Sequence, residues 1–205
     1  MTQQVDLRVL ELLAAKLCHD LIGPVSAIAN GVELLGEDDP DFVRDAVALV
    51  DESARKANRR LQFYRFAYGF GGGGLTGPPP HQLVAEFFAE TAITCDYATV
   101  VRDMPLPWQK LACVMLALAA DGLPRGGRLR LQAGAGGSGA EVAAAGEGTG
   151  LSPEARSALN PRAPVSELTT RTVGAHLAGL FAAGLDCRLT IADRPDGFIL
   201  AAIAL

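Results

Sequence analysis

A histidine that is followed directly by an acid and, five residues later, by a proline offers the clearest chemistry in this sequence. His19, Asp20 and Pro24 stand in the run Lys16-Leu-Cys-His-Asp-Leu-Ile-Gly-Pro24. An imidazole that is neutral near pH 7 keeps a lone pair on one ring nitrogen, and that nitrogen can attack phosphorus. We predict that His19 accepts a phosphoryl group, and that Asp20 either orients the ring or takes up its proton.

The residues around His19 follow the pattern of a long amphipathic helix. Apolar side chains recur at intervals of three or four between residues 5 and 35, which predicts one seam along a helix of a bundle. Pro24 removes one helical hydrogen bond and is expected to bend the helix just past His19. The seam consists of Leu7, Leu10, Ala14, Leu17, Leu21, Val25, Ile28, Val32 and Leu35.

A second helix is predicted after the break at residues 36–40, where Asp39 can cap it and Pro40 can be its first residue. The short connection makes the two helices antiparallel. Further apolar positions at Leu13, Cys18 and Ile22 predict another contact face, which a homodimer would cover by forming a four-helix bundle. The second seam consists of Val43, Val47, Val50, Ala54, Ala57, Leu61, Tyr64 and Tyr68.

The helical period also predicts what surrounds His19. It places His19 on the outer face of the first helix, with Gly23 leaving a bare patch that a partner can approach. Reflecting the hairpin about residue 38 brings basic residues of the second helix to about the height of His19, where they would attract phosphate or an acidic partner. The predicted partner surface comprises Lys16, Ile22, Gly23, Ser26, Lys56, Arg59 and Arg60.

Glycine and proline concentrate at residues 69–80, which predicts a linker between a hairpin over 1–68 and a second domain over 81–205. Beyond the linker, the patterns predict helices and strands in alternation, which indicates an α+β fold whose sheet is covered on one face. The predicted helices span 81–94, 108–123, 152–159 and 169–183, and the strands 97–103, 128–133, 141–145, 187–192 and 197–205.

Composition narrows the function classes. A net charge of −5, without a basic arm, argues against general nucleic-acid binding. The four cysteines are scattered, and no His, Cys, Asp or Glu cluster has the spacing of a metal site. No signal peptide opens the chain, and no apolar run reaches the length of a membrane span. We expect a soluble, cytoplasmic protein that does not bind membranes.

The run Leu17–Leu35 resembles the phosphoacceptor box of sensor histidine kinases and, more closely, the ChpT-type histidine phosphotransferases of alphaproteobacteria. The second domain resembles, more weakly, the ATP-binding domain of histidine kinases. Leu118 stands where that domain carries a magnesium-binding asparagine, and Gly146 stands where it carries an adenine-binding aspartate. Residues 166–170 replace its second glycine-rich lid.

The resemblance implies a dimer that relays a phosphoryl group, through phosphohistidine at His19, between aspartates of receiver domains. The donor would be the receiver of a hybrid histidine kinase, and an acceptor would be a DNA-binding response regulator of the cell cycle. Mg²⁺ would belong to the receiver, so this chain is expected to hold no metal or cofactor. Two alternatives are an ATP-dependent histidine kinase, against which Leu118 and Gly146 argue, and a non-catalytic dimeric adaptor that binds receivers.

Overall fold

The first part of the chain is an antiparallel pair of long helices. The computed structural model describes residues 5–36, 38–69, 77–134 and 139–205. Helix α1 spans Leu7–Leu34 and helix α2 spans Pro40–Tyr68. Asp39 caps α2 by accepting a hydrogen bond from the backbone N–H of Asp41, and Pro40 is the first residue of that helix. The predicted hairpin and its capping are therefore confirmed.

The two helices approach each other closely at a glycine. The Cβ of any other residue at Gly31 would lie 2.6 Å from Cγ2 of Val50 and 3.3 Å from the carbonyl oxygen of Ala46. Pro24 is also buried in α1, and its ring has no N–H to donate to the carbonyl oxygen of Asp20, which accepts a hydrogen bond from Arg60 instead. Small or compact side chains thus set the distance between α1 and α2.

The predicted seams form only part of the contact between α1 and α2: Val50 lies against Gly31 and Ala57 is buried, whereas many other seam residues are exposed. Their branched residues are largely exposed, because the smaller residues on a neighbouring face allow a closer approach of the helices. The residues buried in the hairpin away from its open end are Pro24, Gly31, Ala46, Ser53 and Ala57. The seam residues that stay exposed are Leu7, Leu10, Ala14, Val25, Val32, Leu35, Val47, Ala54 and Leu61.

The second part of the chain is a five-stranded sheet with helices on one face. The strands run in the order β1-β2-β3-β5-β4, where β1 is parallel to β2 and the other pairs are antiparallel. This is the α+β class predicted from the sequence. The elements are α3 (Pro80–Phe88), β1 (Ile93–Tyr97), α4 (Thr99–Arg102), α5 (Leu106–Asp121), β2 (Gly127–Ala133), β3 (Ala140–Ala145), α6 (Pro153–Ala158), a 3₁₀ turn (Val165–Glu167), α7 (Val173–Ala183), β4 (Cys187–Arg194) and β5 (Gly197–Ala204).

The helix predicted over 81–94 ends six residues early, at Phe88. Glu90 takes a φ of 63°, which ends the helix, and the Thr91 hydroxyl donates a hydrogen bond to the carbonyl oxygen of Phe88 at 2.7 Å. Strand β1 then occupies Ile93–Tyr97, whereas the strand predicted over 97–103 is mostly the short helix α4. Local β-branched residues favoured a strand there, but burial of Val101 in the core favours the helix.

The other predicted elements occur close to their expected positions, except that α7 begins at Val173 rather than Thr169. Thr169 instead forms a turn, in which its backbone N–H donates to the hydroxyl of Thr172 at 2.9 Å. Residues 70–76 of the predicted linker lie outside the described residues, so the division at 69–80 stays a prediction.

One hydrophobic core joins the hairpin to the sheet unit. Val9 of α1 and Phe63 of α2 are buried in the same cluster as Leu111 and Met115 of α5. Phe63 also stacks on Phe87 of α3, with ring centroids 4.0 Å apart. The open end of the hairpin is thus held against the sheet unit, and this contact fixes where the middle of α1 faces.

By length and composition alone, α1 would be able to cross a membrane, contrary to the expectation that no apolar run reaches that length. Its apolar character comes largely from the exposed seam residues, such as Val25 and Val32. In this structure α1 is one arm of the hairpin, and Asp20 in its middle makes polar contacts to α2.

The close approach at Gly31 predicts a large effect of a single methyl group. We expect Gly31→Ala to lower the free energy of unfolding by roughly 1–3 kcal/mol, because the added Cβ overlaps Val50. Gly23→Ala is the matched control, since a Cβ there meets nothing within 4 Å, and it should raise stability by up to about 1 kcal/mol. Urea unfolding measures both, and equal effects would contradict the close approach.

Candidate functional site

His19 lies on the exposed surface of α1. Its side chain is 87% exposed, so a folded partner can reach the ring. The ring nitrogen Nδ1 lies 3.5 Å from Oδ1 of Asp20. A carboxylate in this position can accept a hydrogen bond from Nδ1–H, which leaves the other nitrogen, Nε2, free to act as a nucleophile.

Asp20 is held by hydrogen bonds, in contrast to the exposed imidazole ring of His19 beside it. Its carboxylate oxygen Oδ2 accepts a hydrogen bond from the Tyr64 hydroxyl at 2.7 Å, and its backbone carbonyl accepts one from Nη1 of Arg60 at 2.5 Å. Burial, together with this hydrogen bond, raises the pKa of Tyr64, so the hydroxyl stays protonated and is the donor. Both main contacts come from α2, which therefore positions the acid beside His19.

Lys16 connects this cluster to the sheet unit. Its Nζ lies 3.9 Å from Oδ2 of Asp20 and 3.4 Å from Oδ2 of Asp121, at the end of α5. Desolvation raises the pKa of Asp121, and the nearby Lys16 charge opposes that shift. The Lys16 side chain is only 18% exposed, and its amino group contacts α5, so little of it is available to a partner.

The other residues of the predicted partner surface fall into two groups. Those that are exposed and make no side-chain hydrogen bond or ion pair within the described part of the chain are Ile22, Gly23, Ser26 and Lys56. Those that make intramolecular contacts are Lys16, Arg59, which pairs with Glu90 at 2.5 Å, and Arg60, which binds the Asp20 carbonyl. About half of the predicted partner surface is thus already engaged in contacts within the chain.

A cleft of about 820 Å³ lies beside His19, between α1 and the sheet unit. Among its lining residues, Ser152, Thr170 and Arg171 come from segments far from His19 in sequence. Sequence reasoning missed these neighbours, and it missed Tyr64 as a partner of Asp20. Only Tyr64 carried a signal that could have been used, because a buried tyrosine hydroxyl normally requires a hydrogen-bond acceptor.

The positions that resemble a nucleotide site hold no group suited to it. Leu118 is 3% exposed and offers no oxygen to Mg²⁺. A Cβ at Gly146 would lie 2.6 Å from the carbonyl oxygen of Gly126, so an aspartate does not fit there without displacing the backbone. Among the described residues, no three His, Cys, Asp or Glu side chains are grouped as metal ligands would be.

Comparison with known proteins shows the family of the chain. The family model of the histidine phosphotransferase C-terminal domain matches residues 80–197. The protein phosphotransferase ChpT of Brucella abortus (strain 2308) is 38% identical over 126 residues, which are 59% of this chain, and the chain spans 58% of the length of that relative. A solved bacterial phosphotransferase is 28% identical, with a TM-score of 0.75 over 98% of both chains. Since the family model covers more than half of the chain, this protein belongs to the family of proteins with the histidine phosphotransferase C-terminal domain.

Proposed function

We propose that this protein is a histidine phosphotransferase, which relays a phosphoryl group between the aspartates of receiver domains through phosphohistidine at His19. The observation that carries this proposal is an exposed imidazole whose Nδ1 faces an anchored carboxylate, in a chain of this family. The donor would be the receiver of a hybrid histidine kinase, and the acceptors would be receivers of response regulators. We propose that this protein acts in the cytoplasm together with these receivers.

The chemistry requires one lone pair and one retained proton. With Nδ1–H facing Oδ1 of Asp20, Nε2 attacks the phosphorus of the receiver's aspartyl phosphate. The N–P bond forms while the bond between phosphorus and the aspartyl oxygen breaks, and the aspartate leaves with the electron pair. The ring becomes positively charged, and the Asp20 carboxylate stabilises that charge. Transfer to a second receiver reverses these steps.

The 3.5 Å between His19 and Asp20 is long for a hydrogen bond, and catalytic hydrogen bonds commonly shorten when the reacting complex forms. The acidic pocket of the receiver would bring Mg²⁺. This ion would neutralise the negative charge of the phosphoryl oxygens during transfer. The residues Ile22, Gly23, Ser26 and Lys56 are exposed on α1 and α2, where such a partner can contact them.

Replacing His19 tests the proposal. Receiver domains phosphorylated with ³²P-acetyl phosphate should label the wild-type protein and the His81→Ala control, whereas His19→Ala should take no label, because it lacks the attacking nitrogen. ATP alone should label none of the three proteins. If no receiver labels the wild type, the phosphotransferase proposal fails, and labelling from ATP alone would instead identify a histidine kinase.

We also propose that two copies of the chain form a four-helix bundle through their hairpins. Both helices leave large apolar side chains exposed at helical spacing, and we call these residues the apolar strip. Soluble monomers rarely expose a continuous apolar strip of this length, and a second copy offers the same strip in return. Members of the strip, all at least half exposed, are Leu7, Leu10, Val25, Val32, Val47 and Leu61.

Adjacent residues of α2 provide a matched test of the dimer. Val47→Glu buries a charge in the proposed interface and should convert the protein to a monomer of 21.4 kDa. Ala48→Glu places the same charge on an exposed neighbouring face and should leave a dimer of twice that mass. Analytical ultracentrifugation measures both, and a wild-type protein that sediments as a monomer would refute the bundle.

A further inference from the structure

The two carboxylate oxygens of Asp20 have different partners. Oδ2 accepts the hydrogen bond from the Tyr64 hydroxyl at 2.7 Å, while Oδ1 is the oxygen that faces Nδ1 of His19. The backbone of Asp20 is held separately, since its carbonyl oxygen binds Arg60. With the backbone held, the carboxylate can still rotate about its Cβ–Cγ bond. The hydrogen bond from Tyr64 restricts that rotation.

The Tyr64 ring is itself held in place. Only 8% of the residue is exposed, and the ring makes edge contacts with Phe63 and Phe87 at centroid distances of 6.0 and 5.8 Å. Tyr68 lies on another side, with its centroid at 6.1 Å. Because the ring cannot swing, the hydroxyl stays at one point, and the hydrogen bond to Asp20 has a fixed direction.

Without the Tyr64 hydroxyl, Asp20 has a competing partner. Nζ of Lys16 lies 3.9 Å from Oδ2 and also contacts Asp121. Lys16 approaches Asp20 from the side of the sheet unit, so a carboxylate released by Tyr64 can turn toward it. The longer contact to Lys16 then replaces the 2.7 Å hydrogen bond, so Oδ1 is no longer fixed beside Nδ1, and His19 is free to carry its proton on Nε2.

We propose that Tyr64 is a positioning residue for phosphotransfer: by holding Asp20, it keeps the His19 proton on Nδ1 and presents Nε2 as the nucleophile. This inference rests on the proposed function of His19 as the phosphoacceptor. Tyr64 acts through Asp20 and is buried, so a docked receiver does not touch it. Its hydroxyl therefore affects the rate of transfer within the complex and not the affinity for the receiver.

The tautomer of His19 is the first readout, because it can be measured without any receiver. Two-dimensional ¹H–¹⁵N NMR at about pH 8.5, where imidazole is neutral, should show the proton of His19 mainly on Nδ1 in the wild type. Tyr64→Phe keeps the packed ring and should move the proton toward Nε2, and Asp20→Ala should do the same. Tyr97→Phe is the matched control, since Tyr97 is also 8% exposed and its hydroxyl has no hydrogen-bond partner among the described residues.

Kinetics with a labelled receiver are the second readout. Tyr64→Phe should lower the rate of phosphotransfer at saturating receiver by about 10-fold, as losses of orienting partners commonly do, and leave the half-saturating receiver concentration unchanged. Tyr97→Phe should behave as the wild type. In an Asp20→Ala background, Tyr64→Phe should have no additional effect, because its route to His19 is already removed.

Three results would overturn the inference: an unchanged His19 tautomer in Tyr64→Phe, a wild-type rate for that variant, or an equal rate loss in the Asp20→Ala background. Failure of the proposed function is distinguishable from these, because a wild type that takes no label from any receiver leaves the NMR comparison intact. A thermal melt of Tyr64→Phe near that of Tyr97→Phe would show that the ring packing is retained.

Discussion

The hydrogen bond between Tyr64 and Asp20 lies at the centre of the structure around His19. A phosphoacceptor must be exposed to its partner, whereas the acid that orients it must be held still. The hairpin separates these requirements between neighbouring residues, with His19 at 87% exposure and Asp20 turned inward toward α2. A hydrogen bond to a charged group contributes roughly 1.5–3 kcal/mol, which is enough to select one orientation of the carboxylate.

The rest of the chain supplies the conditions for that hydrogen bond. Tyr64 is fixed by aromatic rings of α2 and α3, and Phe63 extends this contact into the core of the sheet unit. Lys16 joins Asp20 to Asp121 at the end of α5. The sheet unit thus packs behind the proposed acceptor site, and it carries Leu118 and Gly146 at the two positions compared above with a nucleotide site. The packing of this fold against the hairpin holds Tyr64 and Lys16 in place, which gives the sheet unit a structural role.

Much of this arrangement could be predicted from the sequence, because local rules decide it. The helical period, the Asp39 cap and Pro40 determine the hairpin and the outward direction of His19. The contact line between the helices was not predictable in the same way, since hydrophobic periodicity favours Val25 and Val32, whereas close packing favours Pro24 and Gly31. The role of Tyr64 was hidden for a similar reason: its aromatic ring fits an apolar seam, and only the three-dimensional structure brings its hydroxyl to Asp20.

The difference between the predicted and observed contact lines explains how the hairpin serves several contacts at once. Small residues on one face of α1 bring α2 close, and a second face, with Val9 and Lys16, packs on the sheet unit. The branched residues then remain on a third face, which the bundle proposed above would cover. His19 lies on the fourth side, next to Gly23, where a Cβ would meet nothing within 4 Å. Under the proposed function, this exposed surface around His19 is where a receiver would dock, and the faces that pack against α2 and the sheet unit hold it in position.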